Sequence, residues 1–168
     1  LEYALCYKDG VRHGSSTEWY INGQKYVTSN YANGVLHGSY TAWYSNGVKD
    51  MEGTYADGKK TGLWTDWYDT GVKASEGRYV ADQYDGPWTF WWKNGKLKQE
   101  VNYVLGEEHG SYKTWFDTGN IQTEGQYANG AEVGIWTYYY RIYETETDIR
   151  SICQSRYDYD HQTALDCP

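Results

Sequence analysis

Four carboxylates, three imidazoles and a pair of cysteines are the groups in this sequence whose spacing invites chemistry. Glu52, Glu76, Glu100 and Glu124 recur every 24 residues. Two carboxylates work as acid and base when they lie roughly 5–9.5 Å apart in unlike surroundings, so that one pKa rises and the other stays low. Equivalent positions two strands apart in a sheet are ~9.5 Å from each other in like surroundings. The ladder therefore reads as structural carboxylates beside a turn. His13, His37 and His109 also share one position, which Thr61, Asp85 and Val133 occupy elsewhere. Neighbouring copies sit too far apart for one metal ion, whose ligands converge within a few ångströms. His161 has no partner in the pattern. Cys153 and Cys167 enclose 13 residues. A disulfide across such a loop contributes ~3 kcal/mol and leaves Cys6 unpaired. That placement favours an oxidising compartment, a cell envelope or periplasm over a cytoplasm. No catalytic residue, metal or cofactor is expected from these groups, and the chain reads as a non-enzyme.

The elements that carry these residues come from a repeat. Tyr7, Tyr31, Tyr55, Tyr79, Tyr103 and Tyr127 stand 24 apart without insertion, each followed seven residues on by Gly14, Gly38, Gly62, Gly86, Gly110 or Gly134. Nine residues after the Tyr come Ser16, Tyr40, Trp64, Trp88, Tyr112 and Trp136. Three further on stand Trp19, Trp43, Trp67, Trp91, Trp115 and Tyr139, each followed by another ring such as Tyr44 or Trp92. Two turn signals punctuate every copy. One is Asn33-Gly34, Asp57-Gly58 and their relatives, with Asp82 replacing Gly in the fourth copy. The other is Asn22-Gly23, Asn46-Gly47 or Thr70-Gly71. Asn-Gly between aromatic segments is a leading hairpin signal because both residues accept positive φ. Each copy thus reads as turn, strand, tight turn, strand, with strands near 39–44 and 48–55 in the second copy. Single hairpins are marginal, so stacking on neighbours supplies the stability. The Gly before each first strand is expected to let a ring lie on bare backbone, so Gly62→Val should destabilise.

The expected fold is all-β: an elongated, single-layer antiparallel meander of six tandem 24-residue β-hairpin repeats. Residues 1–6 read as the tail of a preceding copy or an N-terminal cap, and 7–142 as the array. Residues 143–168 read as an acidic, irregular C-terminal cap over the last edge strand. Leu, Ile, Val and Phe total only 24 of 168 residues, but 20 Tyr and 9 Trp replace them as core formers. Side chains alternate along a strand, so the Trp column and the rings one residue on face opposite sides. Lys25, Lys49 and Lys73 recur six residues after the Trp and are placed to lie over indoles. A net charge of −8 argues against nucleic acid and anionic membrane as main partners and suits a basic protein better. There is no apolar run long enough for a transmembrane helix. The start at Leu1 rather than Met reads as a processed or trimmed terminus.

The unit Y-x-x-G-x-x-x-G-x-[WY]-x-x-W-[YFW]-x-[NT]-G, seen in Tyr31-Ala-Asn-Gly-Val-Leu-His-Gly38, resembles the bacterial variant of the MORN repeat. The nearest grouping is the YwqK-type antitoxin family. The resemblance spans residues 7–140 and implies extended sheets of hairpins that bind proteins or scaffold them, sometimes touch lipid, and in bacteria neutralise toxins. Lipid contact fits poorly with the acidic charge. The expected function is a protein-binding scaffold, an immunity protein or antitoxin for a basic toxin or effector. The alternative is an envelope scaffold or glycan-binding module using exposed aromatic rows. The contact residues singled out are Trp43, Trp67, Trp91, Trp92, Trp115, Tyr84, Asp85, Glu76, Glu100, Asp158 and Asp160. Trp and Tyr are frequent hot-spot residues, and the chain is expected to be a monomer or a weak dimer.

Overall fold

The computed structural model describes residues 2–139 and, as backbone, 152–158 and 161–164. The chain divides into two units, 1–84 and 85–168. The first holds β1 (Glu2–Lys8), β2 (Val11–Trp19), β3 (Lys25–Ala32), β4 (Val35–Trp43), β5 (Lys49–Ala56), β6 (Lys59–Trp67) and β7 (Lys73–Val80). It ends within β8 (Gln83–Trp91). The second continues with β9 (Leu97–Val104), β10 (Glu107–Trp115), β11 (Ile121–Ala128), β12 (Ala131–Tyr139), β13 (Ile152–Asp158) and β14 (His161–Ala164). Within each unit the strands pair antiparallel in chain order. The protein is an open β-hairpin meander with no helix among the described residues. Residues 143–168 were expected to be irregular. In their described part they add β13 and β14, which pair onward from β12.

The two turn signals use different chemistry. The tight two-residue turn is the first one, where both central residues have positive φ: Asn33 at 49° and Gly34 at 86°, Asp57 at 49° and Gly58 at 80°, Ala81 at 50° and Asp82 at 71°. This is the type I′ geometry that matches strand twist. Each such turn also docks on the copy before it. Gly34 N–H donates to the Arg12 carbonyl and Gly58 N–H to Leu36, each at 2.8 Å. Asp82 does so twice, through its N–H to the Lys60 carbonyl (3.0 Å) and its Oδ1 from the Lys60 N–H (2.7 Å).

The Asn-Gly turn departs from expectation, since only its glycine is at positive φ (Gly23 81°, Gly47 85°). It is a wider loop, closed by Tyr20 N–H to the Gln24 carbonyl and Gly23 N–H to Tyr20. The Asn side chain serves as a staple. Asn46 Oδ1 accepts from the Val48 N–H (3.0 Å) while its Nδ2 donates to the Asp69 carbonyl of the next copy (2.8 Å). Asn22 and Asn94 repeat the arrangement.

Leu105 occupies the first position of a type I′ turn at φ 49° and is 57 % exposed. Left-handed backbone costs a branched residue about 1 kcal/mol, and Asn much less. Leu105→Asn should therefore raise stability by about 0.5–1 kcal/mol in chemical denaturation; a neutral or destabilising result would contradict the strain.

The glycine seven residues after each Tyr is not a turn preceding a strand. Gly38 at φ 97° lies inside β4, where the register with β3 slips from Ser29↔Tyr40 to Tyr31↔Leu36. It forms a bulge, so the strand begins at Val35 rather than near residue 39. A Cβ built on Gly62 meets nothing within 4 Å, while its φ is 69°. Gly62→Val is still expected to destabilise, by about 1–2 kcal/mol, but through backbone strain and not through a ring above it.

The ring on bare backbone belongs to a different glycine. A Cβ on Gly53 would lie 2.2 Å from Cδ2 of Trp64, and one on Gly125 would lie 2.3 Å from Cδ2 of Trp136. Both indoles are 1 % exposed. Eleven residues before each ring of this column stand Gly53 for Trp64, Gly77 for Trp88 and Gly125 for Trp136, but Ser29 for Tyr40 and Val101 for Tyr112. The larger ring goes with the bare backbone, and the smaller ring with a side chain. In the first unit the core continues as a chain of edge-to-face and tilted rings, Tyr40–Tyr55 (5.3 Å), Tyr55–Trp64 (5.1 Å) and Trp64–Tyr79 (6.1 Å). Each such pair contributes about 0.5–1.5 kcal/mol beyond its burial.

Candidate functional site

The recurring Trp, Lys and Glu residues assemble on one face of the hairpins. Cross-strand pairing sets Thr41 opposite Glu52, Thr65 opposite Glu76, Thr89 opposite Glu100 and Lys113 opposite Glu124. Opposed residues share a face. The Glu76 carboxylate accepts from Lys73 Nζ (2.7 Å) and Thr65 Oγ1 (3.1 Å), and that of Glu124 from Tyr139 Oη (2.8 Å) and lies 3.1 Å from Lys113 Nζ. Glu52 pairs with Lys49.

The lysines also lie over indoles, and the indole belongs to the following copy. Lys25 Nζ is 5.7 Å from the Trp43 ring centre and Lys49 Nζ is 5.3 Å from Trp67. The Lys49 ammonium thus joins its own copy's Glu52 to the next repeat's Trp67. Trp43, Trp67, Trp91 and Trp115 are half-buried. At Trp43 and Trp67 the column is therefore a covered row, with the lysines outermost. The ring one residue on ties copies together: Tyr20 and Tyr44 donate their hydroxyls to the carbonyls of Trp43 and Trp67, each at 2.8 Å. Trp92 gives its indole N–H to the Trp115 carbonyl (3.0 Å), and Lys98 lies 4.9 Å from the Trp92 ring.

The ionisation states follow. Hydrogen bonding from Lys73, then from Thr65, holds the Glu76 carboxyl below its ordinary pKa. Tyr139 and Lys113 do the same for Glu124. A depressed folded pKa contributes stability that is present above the unfolded value of about 4.3 and lost as pH falls through the folded one. Both carboxylates are about one-third exposed, so solvent screening keeps this term small. The tyrosines give the larger effect. Burial pushes Tyr40 up to about 12, with the Tyr55, Tyr26 and Asp50 charges adding to it; burial and a hydrogen bond to Asp50 push Tyr44 up to about 12. A raised folded pKa contributes stability that is complete below the unfolded value of about 10 and lost as pH rises toward 12. Alkaline titration should show tyrosinate formation and loss of sheet together over that interval. Tyrosines ionising near pH 10 with the sheet intact would contradict it.

The remaining sequence-selected residues lie apart from this face. His37 sits against the next copy's turn, its Nδ1 3.4 Å from the Asp57 N–H donor and also 3.4 Å from Asp57 Oδ1. Tyr84 packs on Tyr79 at 5.0 Å in the first unit, and Asp85 opens the second half-buried. Asp158 and Cys153 fall on β13, where only backbone is described. Asp160 and Cys167 lie outside the described residues, as does the expected disulfide; Cys6 is exposed on β1. Sequence reasoning missed the position five residues after each repeat Tyr. Arg12 there stacks over Tyr31 (4.9 Å), and Lys60 lies over Trp64 (4.2 Å) and Tyr79 (5.0 Å). The signal was available as a column reading Arg12, Leu36, Lys60, Tyr84, Glu108, Glu132. Among the described residues the cavities are shallow grooves, one of about 470 Å³ lined by Glu100, Lys113, Glu124 and Ile135 among others. No helix there is long and apolar enough to cross a membrane.

Comparison with known proteins agrees with the period. The family model described as MORN repeat variant matches residues 36–57, 84–104 and 108–129. A comparison with curated proteins gives no match. The three matches begin at offsets of 48 and 24 residues, on the hairpin period read from the backbone, and they support a MORN-repeat array.

Proposed function

We propose that this protein is a non-catalytic protein-binding scaffold, and that it serves in a bacterium as an immunity protein or antitoxin for a basic toxin or effector. The observation that carries this reading is the face of recurring Trp, Lys and Glu residues, complete in the second and third hairpins as Trp43, Lys49, Glu52 and Trp67, Lys73, Glu76. A polar, evenly spaced surface with half-buried aromatics beneath suits an extended protein partner. The ladder carboxylates argue against acid–base chemistry. Glu76 and Glu124 are each held ionised by a cation and a hydroxyl, whereas a general acid needs a raised pKa. Sugar stacking needs bare indole faces, and Lys25 and Lys49 occupy those of Trp43 and Trp67. The net charge of −8 favours a basic partner through faster encounter.

The test is co-expression with the products of adjacent genes in the source genome. The proposal expects one basic product to be toxic alone, harmless with this chain present, and bound to it in a complex that weakens with salt. A toxic, basic neighbour that neither binds nor is neutralised would overturn the antitoxin reading.

A further inference from the structure

We propose that Glu108, Glu132, Tyr112, Tyr127 and Trp136 form a site for the ammonium or guanidinium group of a lysine or arginine on a basic partner protein. In the first unit the position five residues after the repeat Tyr supplies the protein's own cation to the aromatic ladder. Arg12 lies 4.9 Å from the Tyr31 ring centre and donates to its hydroxyl at 3.0 Å. Lys60 lies 4.2 Å from Trp64 and 5.0 Å from Tyr79. The ladder at this level is therefore a surface on which a cation sits well, as the negative face of the rings dictates.

In the last two repeats the same position is Glu108 and Glu132. The rings remain: Tyr112–Tyr127 at 5.2 Å, Tyr112–Trp136 at 5.4 Å and Tyr127–Trp136 at 5.0 Å close a triangle. No lysine or arginine among the described residues lies over it. Where the first unit has a cation against the rings, the second has two carboxylates beside them. Glu108 is hydrogen-bonded to Tyr127, yet burial first, and the charge of Glu132 with it, raise its pKa above the ordinary value. Tyr112 and Tyr127 are raised as well, by burial and then by these same two carboxylates. The Trp136 indole N–H, buried in the same cluster, has no partner among the described residues, whereas Trp64 gives its N–H to the Thr54 carbonyl at 3.2 Å. A cation placed as Lys60 is placed in the first unit would meet the Tyr112 and Tyr127 rings, the counterparts of Trp64 and Tyr79, with Trp136 packed against both and the two carboxylates beside them. Two carboxylates among rings are too few oxygens for a hard metal ion, and the geometry suits a side-chain cation.

This deepens the basic-partner reading and rests on it for the identity of the occupant. The test uses the full chain and a capped tri-arginine peptide, with capped tri-glutamate as control, followed by tryptophan fluorescence and NMR shifts of the Trp136 indole. Saturable binding is expected for tri-arginine alone. Glu108→Lys, which copies Lys60, should weaken it roughly tenfold or more while the melting temperature holds or rises. Glu107→Lys, the same charge change one residue away on an exposed site, should weaken it far less. Equal loss in both variants would reduce the effect to diffuse charge and overturn the site. A basic toxin that binds wild type and Glu108→Lys equally would remove the site and leave the antitoxin reading standing. Peptide binding at Trp136 without neutralisation of any basic protein would keep the site and remove that reading.

Discussion

Gly53→Val is expected to destabilise the first unit by about 3 kcal/mol, at the upper end of what overpacking costs. The backbone is not the reason, since Gly53 lacks the positive φ of the turn and bulge glycines. The reason is steric: the new Cβ would overlap the five-membered ring of the Trp64 indole, 2.2 Å from Cδ2, a distance no real Cβ contact tolerates. The indole cannot retreat, because Tyr40, Tyr55 and Tyr79 hold it at 5.9, 5.1 and 6.1 Å and its N–H is bonded to Thr54. Even Gly53→Ala should cost more than Gly62→Ala, where the added methyl meets open space and only the φ is strained. Equal costs for the two alanine variants in urea denaturation would show that the ring contact is not the governing feature.

Trp64→Ala should cost about 3–5 kcal/mol, the range for removing a large buried ring. Trp64 is 1 % exposed and is the hub of four contacts, three rings and the Lys60 ammonium at 4.2 Å. A 24-residue hairpin has few other apolar groups with which to refill the space. Trp136 offers a contrast. It is equally buried, but its indole N–H has no partner among the described residues. Trp64→Phe loses a hydrogen bond of about 1 kcal/mol, and Trp136→Phe does not. The Phe variant at 64 should therefore be the less stable of the two relative to wild type, and the reverse order would contradict the hydrogen-bond assignments.

The period and the all-β class were legible because rings and glycines recur at fixed spacing. What the spacing did not carry was the division of labour among them. Asn33-Gly34 and Asn46-Gly47 look alike in sequence. The first is a two-residue turn with both φ positive. In the second the Asn keeps ordinary backbone and its amide bridges to the next copy. Only the strand ends on either side, and so the loop length, decide which occurs. Gly38 and Gly53 were likewise indistinguishable as letters: one is a bulge required by its φ, the other a floor required by a ring. The floor had a readable signal in the alternation of Gly with Trp, and of Ser29 or Val101 with Tyr, eleven residues apart.

For the candidate site, the Lys–Trp stacking was legible, but its partner was not. Lys49 reaches Trp67 rather than Trp43, because neighbouring copies are offset by a strand pair, a register visible only in the fold. That offset turns an apparently exposed Trp row into a covered one. The column from Arg12 to Glu132 escaped notice because its residue types change along the chain, and a search for sameness passes over a position whose meaning lies in its change of sign.

Within each unit, a repeat is held to the one before it by a ring fitted to the residue eleven positions earlier, as Trp64 is to Gly53 and Trp136 to Gly125. The double-mutant cycle of Gly53→Ser and Trp64→Tyr, which rebuilds the Ser29–Tyr40 pairing at the next copy, tests it most directly. Fit predicts that the double variant is more stable than Gly53→Ser alone, with a coupling energy of about 1 kcal/mol or more. Additive losses, with the double variant the least stable of the set, would contradict it.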